Sequence, residues 1–350
     1  MLIYMTLNNS KRILVTGVTG QDGSHMIDYL LKVTDFDLYG TVRRAAVKNH
    51  KNIEHLQNNP RFHLVNMDLA DQTSIINAIS TIMPDYCINF AAQSFVGESW
   101  NTPIQTFDIN ALGVMRLLEA IRLHVPQCRF YSAGSSEEFG NVSYVPQDLN
   151  HPLKPRSPYG ASKCAARHIV KVYRDSYGLY AVHGTLFNHE GVRRGEEFVT
   201  RKITLGISRI KRELTKSQPV VPLAVGNINA QRDWSDSEDF IRAIWMMLNQ
   251  DKPDEYLLSS NETHSVKEFI DLACHFAEIP DLRWEISKTD EINSKLYSGD
   301  TVILVIDKLF YRPAEVDILL GDSSETRAKL GWKPETSFAN LVKKMMTNDI

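Results

Sequence analysis

Short apolar runs alternate with stretches of helical periodicity along the first half of the chain. The run Arg12–Thr16 is β-branched and apolar and ends at a glycine cluster, as a buried parallel strand does. Further strands are predicted at Leu38–Val42, Phe62–Val65, Cys87–Phe90, Arg129–Ser132 and Tyr180–Leu186, with helices at Ser24–Val33, Thr73–Ile82 and Ala111–Leu123. Strands joined by helical crossovers lie parallel, with helices on both faces of the sheet. The pattern therefore predicts an α/β fold with a doubly wound, Rossmann-type parallel sheet.

The alternation breaks down beyond Asn188. Helices are predicted there near Arg201–Arg212 and Phe240–Leu248, among arginine-rich loops. We expect a smaller C-terminal α/β lobe over the carboxyl edge of the sheet, which is where open α/β sheets bind ligands. The predicted domains are residues 1–187 and, mainly, 188–350, with part of 230–262 returning to the first domain.

Composition narrows the class of protein. The 350 residues are 43% hydrophobic, which is enough for a sizeable core, and the net charge of −3 argues against a nucleic-acid-binding surface. The cysteines lack metal-ligand spacing, which predicts reduced thiols and no metal site; they are Cys87, Cys128, Cys164 and Cys274. No apolar run reaches the ~18 residues of a membrane span, and the N-terminus lacks the pattern of a signal peptide. We expect a soluble, cytoplasmic protein.

A glycine-rich turn follows the first predicted strand and opens the first helix. Gly17, Gly20 and Gly23 have the spacing G-x-x-G-x-x-G. Glycines here allow a sharp turn and close approach to a pyrophosphate, which the helix N-terminus attracts. An ordinary glycine turn is the alternative, but the position in the first βαβ unit favours dinucleotide binding. The expected cofactor contacts also include the neighbouring residues Thr19, Gln21 and Asp22.

The end of the second strand predicts which dinucleotide binds. An acid there would hold the ribose 2′-hydroxyl of NAD, but the strand ends in Arg43 and Arg44. Two guanidiniums suit a 2′-phosphate through forked hydrogen bonds, which favours NADP; a solvated arginine pair is the alternative. Further cofactor contacts are expected after later strands, with ordinary strand-end loops as the alternative, at Asp68, Leu69, Ala91, Ala92 and Gln93.

A Tyr-x-x-x-Lys pair provides the candidate catalytic centre. Tyr159 and Lys163 are four residues apart, which puts both side chains on one face of a helix. A neighbouring ammonium favours the phenolate, so Lys163 is expected to lower the pKa of Tyr159. Ser135, at an upstream strand end, supplies a hydroxyl. Such pairs occur often by chance, but together with the glycine turn and Ser135 this one predicts an oxidoreductase centre.

These motifs resemble those of the extended short-chain dehydrogenase/reductase superfamily and, within it, the GDP-mannose 4,6-dehydratase family. The similarity covers nearly the whole chain, most specifically in TGVTGQDGS, PRSPYGASK, LFNHE, FVTRKIT, RDW, YRPAEVDILLGD and LGWKPETS. Three segments depart from the family pattern. This chain has Gly134-Ser-Ser-Glu137 where the family has Ser-Thr-Ser-Glu, and Gly191-Val192 where the family has Ser-Pro. The loop after Arg44 lacks the family's serines. With Glu138, the first of these also resembles GDP-4-keto-6-deoxymannose reductases.

The resemblance implies NADP-dependent dehydration of a GDP-sugar, with GDP-mannose the first candidate. It implies that Tyr159 takes the proton of the 4-hydroxyl, which Ser135 orients, and that Glu137 then acts as the base for elimination of water. A structural role in a strand-end turn is the alternative for Glu137. Further cofactor contacts implied by the family are Leu186, His189 and Arg194, besides Tyr159 and Lys163. The implied substrate contacts, for which surface charge is the alternative, are Ser94, Ser135, Glu137, Asn188, Val199, Lys202, Arg232, Arg312 and Glu315.

Other functions remain open at this point. A GDP-sugar 4-reductase or 4-dehydrogenase would use the same Ser–Tyr–Lys centre without losing water. A GDP-manno-heptose 4,6-dehydratase would keep the chemistry with a larger sugar, and a non-catalytic nucleotide-sugar-binding protein is the third alternative. We expect a homodimer, with a homotetramer as the alternative that the changed loop after Arg44 puts in doubt, and neither a nucleic-acid nor a membrane partner.

Overall fold

A computed structural model describes residues 10–287, 291–311, 316 and 318–350. The strands in these ranges are β1 Arg12–Thr16, β2 Asp37–Val42, β3 Phe62–Asn66, β4 Tyr86–Asn89, β5 Arg129–Ala133, β6 Ala181–Leu186, β7 Asn188–Glu190, β8 Leu223–Val225, β9 Gln231–Arg232, β10 Trp234–Asp236, β11 Glu255–Leu258, β12 His264–Ser265, β13 Leu282–Glu285, β14 Lys295–Ser298 and β15 Thr301–Ile306. The helices are α1 Gln21–Val33, α2 Gln72–Ile82, α3 Pro103–Phe107, α4 Gly113–His124, α5 Pro158–Tyr177, α6 Val199–Thr215, α7 Ser237–Leu248, α8 Val266–Phe276, α9 Ser324–Leu330 and α10 Phe338–Asp349.

One parallel sheet dominates the described part of the chain. Its seven strands there have the order β11-β6-β5-β4-β1-β2-β3. The chain runs outward from β1 to β3 and then returns to the other side of β1 with β4. Such a switch point opens a crevice at the carboxyl ends of the two neighbouring strands, where doubly wound sheets bind ligands. The predicted Rossmann-type fold is confirmed.

The sheet is buried on both faces. Ile13 and Val15 of β1 pack with side chains of α1 and α7, whereas Leu14 between them packs with side chains of α2 and α4. Successive residues of a strand point to opposite faces, so a strand covered on both sides needs an unbroken apolar run. This is why the sequence of β1 shows no alternation of apolar and polar residues.

A second lobe continues from the carboxyl edge of the sheet. Among the described residues, β13, β14, β15 and β8 form a mixed four-stranded sheet, and α6, α8 and α10 share its hydrophobic core. Trp234 of β10 stacks on Phe338 of α10, with ring centroids 5.8 Å apart. The chain enters this lobe directly after β6, because β7 pairs with β10 rather than with the main sheet. The entry therefore lies beside the crevice at the switch point.

Candidate active site

The glycine-rich turn lies between β1 and α1, at the switch point of the sheet. Gly17 has a φ of +69°, a left-handed conformation that residues with side chains rarely adopt. A Cβ on Gly17 would lie 2.9 Å from the backbone nitrogen of Ala91, and a Cβ on Gly23 would collide with the carbonyl of Gly17. The turn thus leaves no room for side chains and presents bare backbone in front of the N-terminus of α1, as anion binding requires.

Two cavities flank this turn. One, of about 410 Å³, is lined by predicted cofactor residues from four strand ends, together with Ser94: Gly17, Thr19, Gly20, Arg43, Asp68, Leu69, Ala91, Ala92 and Gln93. The other, of about 960 Å³, includes Gln21, Asp22, Gly23 and Arg194. The backbone of the glycine turn forms a cradle that a Cβ on Gly17 or Gly23 would fill, and this cradle opens onto both cavities. Its shape fits a dinucleotide.

Both arginines after β2 are exposed. Arg43 lines the smaller cavity, and together with Arg44, Lys48 and His50 it lines an adjoining cleft of about 340 Å³. No carboxylate in the described ranges forms an ion pair with either arginine. The cleft therefore carries positive charge beside the glycine turn.

The loop after β4 is fixed by its own hydrogen bonds. The backbone nitrogen of Ala91 donates to Oγ1 of Thr16 at 2.9 Å, which joins the ends of β4 and β1. The backbone nitrogen of Gln93 donates to Oδ1 of Asn110 at 2.9 Å, and Nδ2 of Asn110 donates to the carbonyl of Gln93 at 3.0 Å. The cavity wall at Ala91–Gln93 is thus held in place without a ligand.

A partly buried ion pair joins α1 to the second lobe. Nε2 of His189 in β7 lies 2.9 Å from Oδ2 of Asp22, and Nδ1 lies 2.8 Å from the carbonyl oxygen of Phe187. Both partners are acceptors, so both ring nitrogens carry protons and His189 is an imidazolium. Gln21 adds a hydrogen bond of 3.1 Å from Nε2 to the carbonyl of His189. The structure therefore brings three predicted cofactor residues together, but as partners of one another.

Protonation of this pair follows from its burial and its charges. Burial alone would raise the pKa of Asp22, but the charge and hydrogen bond of His189 hold it well below its ordinary value. Burial alone would lower the pKa of His189, but Asp22 raises it above its ordinary value. Each group thus stabilises the charged form of the other.

Leu186 and Arg194 are two further predicted cofactor contacts. Leu186, at the end of β6, is buried in the core of the main sheet. Arg194 forms an ion pair of 3.0 Å with Glu190, and its guanidinium lies 3.6 Å from the ring centroid of Phe198. Arg194 also lowers the pKa values of Asp22 and Tyr159. It is close enough to act electrostatically on the candidate centre.

Two elements bring Ser135 and Tyr159 together. Ser135 follows β5 and caps a 3₁₀ turn, Ser136–Glu138, while Tyr159 lies in the first turn of α5. The helix starts there because Pro158 suits the first helical position and Ser157 Oγ accepts a 3.0 Å hydrogen bond from the backbone nitrogen of Gly160. The Ser135 hydroxyl is close enough to Tyr159 to favour the ionised phenol and so acts to lower its pKa.

Lys163 lies on the same face of α5 as Tyr159. Its Nζ is 5.7 Å from the tyrosine ring centroid and donates a 2.8 Å hydrogen bond to the carbonyl of Ala133. Burial lowers the pKa of Lys163 to about 8. The pKa of Tyr159, expected from the sequence to be lowered, is instead raised, because burial outweighs the effect of the Ser135 hydroxyl.

Glu137 is half-buried on the 3₁₀ turn beside this pair. Its backbone nitrogen donates to Oγ of Ser135 at 3.3 Å. Its negative charge acts on Tyr159, whose pKa it raises. A carboxylate, a hydroxyl and a phenol are thus collected at the carboxyl edge of β5, within one turn and the start of one helix.

The second lobe supplies the remaining predicted residues. Asn188 lies in β7 and Val199 begins α6, while Arg232 in β9 is buried and donates 2.9 Å from Nη1 to the carbonyl of Gln231. Lys202 in α6 has its Nζ 3.0 Å from the Phe310 ring centroid, and burial lowers its pKa to about 8. Arg312 and Glu315 lie outside the described residues.

Two supporting residues were missed by the sequence analysis. Asn52 donates a 2.9 Å hydrogen bond from Nδ2 to the carbonyl of Thr19, which fixes the glycine turn. Asp233 is fully buried and accepts hydrogen bonds from the backbone nitrogens of Ser260, Asn261 and Gly321, at 2.7, 3.1 and 3.2 Å. The RDW motif pointed to Asp233, but no local signal distinguishes Asn52 from a surface amide.

Two other kinds of site receive no support from the described ranges. Within them no group of three or more His, Cys, Asp or Glu side chains could hold a metal ion. No helix in the same ranges is long and apolar enough to cross a bilayer. The cysteines are unpaired, and burial raises the pKa of Cys87 to about 12, so its thiol stays protonated.

Solved structures share this fold at low sequence identity. The dTDP-glucose 4,6-dehydratase DesIV of Streptomyces venezuelae, solved with NAD and TYD bound, superimposes with a TM-score of 0.78 at 22% identity, covering 96% of each chain. The RMD protein of Pseudomonas aeruginosa, complexed with NADPH, superimposes with a TM-score of 0.73 at 23% identity, covering 97% of this chain and 98% of the other. Both likenesses establish the architecture.

Sequence comparison is more specific. The family model for GDP-mannose 4,6 dehydratase matches residues 14–345. GDP-mannose 4,6 dehydratase 1 of Arabidopsis thaliana is 42% identical over 352 residues, which cover 97% of this chain and 90% of the relative. These matches confirm the resemblance inferred from the motifs. The chain belongs to the GDP-mannose 4,6-dehydratase family, a hydro-lyase family of the extended short-chain dehydrogenase/reductase superfamily.

Proposed function

We propose that this chain catalyses the NADP-dependent dehydration of GDP-mannose to the GDP-linked 4-keto-6-deoxy sugar. The observation that carries the proposal is the cluster of Tyr159 and Ser135, with Lys163 on the same helix face and Glu137 on the adjoining turn. Membership of the family and the names of the relatives support the substrate and the reaction.

The residues at the switch point would hold the cofactor. The bare backbone of the glycine turn would bind the pyrophosphate, and Asp68 and Leu69 would contact the adenine. Ala91–Gln93 would line the path from the pyrophosphate to the nicotinamide. Two solved structures of the same fold contain NAD and NADPH respectively, so the fold does not decide the choice. Arg43 and Arg44 support NADP, because two guanidiniums that form no ion pair with a carboxylate of the described residues suit a 2′-phosphate.

Oxidation at C4 would come first. A nicotinamide held in this crevice would supply the hydride acceptor for C4 and the hydride donor for C6. Tyr159 removes the proton of the 4-hydroxyl, and the neighbouring Ser135 hydroxyl orients it. Burial raises the pKa of Tyr159 in the free protein, so this step depends on nearby positive charge, which Lys163 and Arg194 supply.

Elimination of water would follow. A ketone at C4 acidifies the hydrogen at C5, and Glu137 removes that proton. The departing C6 hydroxyl takes a proton as it leaves, which the newly protonated Glu137 can supply. When hydride returns to C6, C5 takes a proton from solvent, and Tyr159 releases the proton of the 4-hydroxyl to solvent. The half-buried position of Glu137 next to Tyr159 supports this role, because one sugar ring can reach both groups.

Residues of the second lobe would bind the nucleotide. Lys202 and Arg232 offer cationic groups for the diphosphate, and Asn188 offers an amide. We assign Val199 to the same surface. Ser94, which lines both cavities beside the glycine turn, would contact the substrate from the cofactor side, and Arg312 and Glu315 are proposed for the guanosine side. In this division residues 1–187, with part of 230–262, hold the cofactor, and 188–350 mainly hold the substrate.

One experiment separates this proposal from its alternatives. The protein is incubated with a catalytic amount of NADP and either GDP-mannose or GDP-manno-heptose, and the masses of the products are measured by mass spectrometry. The proposal predicts a GDP-mannose product lighter by one water, without net NADPH. A product lighter by two hydrogens, with stoichiometric NADPH, identifies a 4-dehydrogenase. Turnover of the heptose substrate alone identifies a heptose dehydratase, and no turnover at all supports a binding protein.

An apolar face on the outer helices supports a homodimer. Ile104 of α3 is 82% exposed, and Phe107, Met115 of α4 and Val172 of α5 are also exposed. Helices α3 and α4 both pack beside α5, so exposed apolar side chains lie on three neighbouring helices, and we propose that a second copy covers them. Sedimentation should give twice the monomer mass, and Ile104→Asp should shift it toward the monomer. A fourfold mass would instead identify the tetramer.

A further inference from the structure

A buried carboxylate lies directly behind the candidate active site. Glu138 ends the 3₁₀ turn Ser136–Glu138, and its side chain is fully buried. Oε1 of Glu138 accepts a 2.8 Å hydrogen bond from the backbone nitrogen of Ser135, whose hydroxyl accepts one of 3.3 Å from the backbone nitrogen of Glu137. These two bonds form a capping box. Glu138 therefore closes the turn that carries both the candidate hydroxyl and the candidate base.

Groups from three other elements surround this carboxylate. Nε2 of His183 in β6 lies 3.3 Å from Oε1, and Nη1 of Arg167 in α5 lies 3.9 Å from Oε2. Cys164, also in α5, donates from Sγ to the backbone carbonyl of Glu138 at 3.4 Å. Arg167 is held from its other side by Glu255 in β11, through two hydrogen bonds of 2.9 and 3.2 Å. The cluster ties the turn to the main sheet and to α5.

Glu138 also accounts for the glycine at position 134. A Cβ on Gly134 would lie 2.7 Å from Oε1 of Glu138 and would collide with Nε2 of His183. Gly134 replaces a serine of the family pattern, and Glu138 gives the run its reductase-like character. The two positions are therefore one structural feature, in which a glycine makes room for a buried carboxylate.

We propose that Glu138 is a positioning residue, which through the capping box and its contacts with Arg167 and His183 holds Ser135 and Glu137 in place against Tyr159. The inference rests on the proposed function, because it concerns the two steps assigned to Ser135 and Glu137. Both groups share one turn, so loss of Glu138 slows C4 oxidation and elimination together. Loss of Glu137 slows elimination alone.

Three variants test this role kinetically. Glu138→Leu removes the acceptor, Glu138→Gln keeps an oxygen that can accept from Ser135, and Glu255→Gln removes the other partner of Arg167 without touching the turn. In Glu138→Leu, the rates of cofactor reduction and of water loss should each fall about 100-fold, because moving a reacting group by ~1 Å costs about that much in rate. The affinity for GDP should be unchanged. Glu138→Gln should restore most of both rates, and Glu255→Gln should leave them near wild type. Wild-type rates in Glu138→Leu, or an equal loss in Glu255→Gln, overturn the proposal.

A measurement without substrate separates this proposal from the proposed function. Hydrogen exchange of the peptide containing Ser135–Phe139 should quicken in Glu138→Leu and stay unchanged in Glu138→Gln. Unchanged exchange in Glu138→Leu contradicts the positioning role, whereas absence of product from the wild type contradicts the dehydratase function. If Glu138→Leu does not fold, Gly134→Ala decides, because it keeps every polar group but its Cβ collides with His183 and crowds the Glu138 carboxylate. Wild-type rates of both steps in Gly134→Ala overturn the proposal.

Discussion

Nε2 of His189, at the entry to the second lobe, lies 2.9 Å from Oδ2 of Asp22, in the first turn of the helix that carries the glycine turn. The pair links the cofactor side of the crevice to the lobe proposed to hold the substrate. Because the pair is charged and partly buried, its contribution to the free energy of unfolding depends on pH.

Asp22→Asn should destabilise the protein mainly under mildly acidic conditions. The raised pKa of His189 stabilises the fold below the ordinary value of 6.5, and this is lost as pH rises through the folded pKa. The lowered pKa of Asp22 stabilises the fold above 3.8, and this is lost as pH falls through its folded value. The loss in unfolding free energy should therefore be greatest, about 2 kcal/mol, near about pH 5. Urea unfolding at several pH values measures it, and a loss independent of pH contradicts the imidazolium assignment.

Replacing both arginines after β2 should change cofactor selectivity. Arg43→Ala with Arg44→Ala removes two charge-assisted hydrogen bonds, so the affinity for NADP should fall about 100-fold, while that for NAD barely changes. Fluorescence titration of both cofactors on the same variant provides the control. Equal losses for the two cofactors would refute a 2′-phosphate site.

Tyr159→Phe should abolish hydride transfer without unfolding the protein. The change removes the phenolic oxygen and keeps the ring, so the thermal midpoint should stay close to that of the wild type. The single-turnover rate of NADP reduction should fall by about 10²- to 10⁴-fold. A rate near that of the wild type would show that another group takes the proton from the 4-hydroxyl.

Glu137→Gln should separate the two chemical steps. Glutamine keeps the size of the side chain but cannot accept the C5 proton. On mixing with GDP-mannose, the variant should reduce bound NADP and then stall, so that absorbance at the NADPH band rises and persists. If oxidation were lost as completely as in Tyr159→Phe, or dehydration were untouched, Glu137 would not be the elimination base.

Local patterns in the sequence predicted the sheet and the motif residues, but not the contacts between them. The apolar run Arg12–Thr16 and the glycine turn after it carry their own conformational preferences, so both were predictable. The pairing of Asp22 with His189 joins residues far apart in sequence, and each had been assigned to the cofactor singly. It depends on the packing of β7 against α1, which no local pattern records.

Burial is the other quantity that the sequence does not give. The spacing of Tyr159 and Lys163 was correctly predicted to put both on one helix face, but the expected lowering of the tyrosine pKa was not found. The phenol is nearly completely buried, and loss of solvation acts more strongly on it than the Ser135 hydroxyl does. In the same way, the sequence showed Glu138 only as part of a reductase-like run, whereas the structure buries its side chain between Arg167 and His183.

The central claim is that hydride leaves C4 of the sugar and returns to C6 of the same molecule. The direct measurement uses GDP-mannose deuterated at C4, with catalytic NADP, and locates the label in the product by NMR. The account predicts a 4-keto-6-deoxy product that carries deuterium at C6 and has lost one water. Deuterium that accumulates in the reduced cofactor, or a product that keeps its C6 hydroxyl, would contradict it.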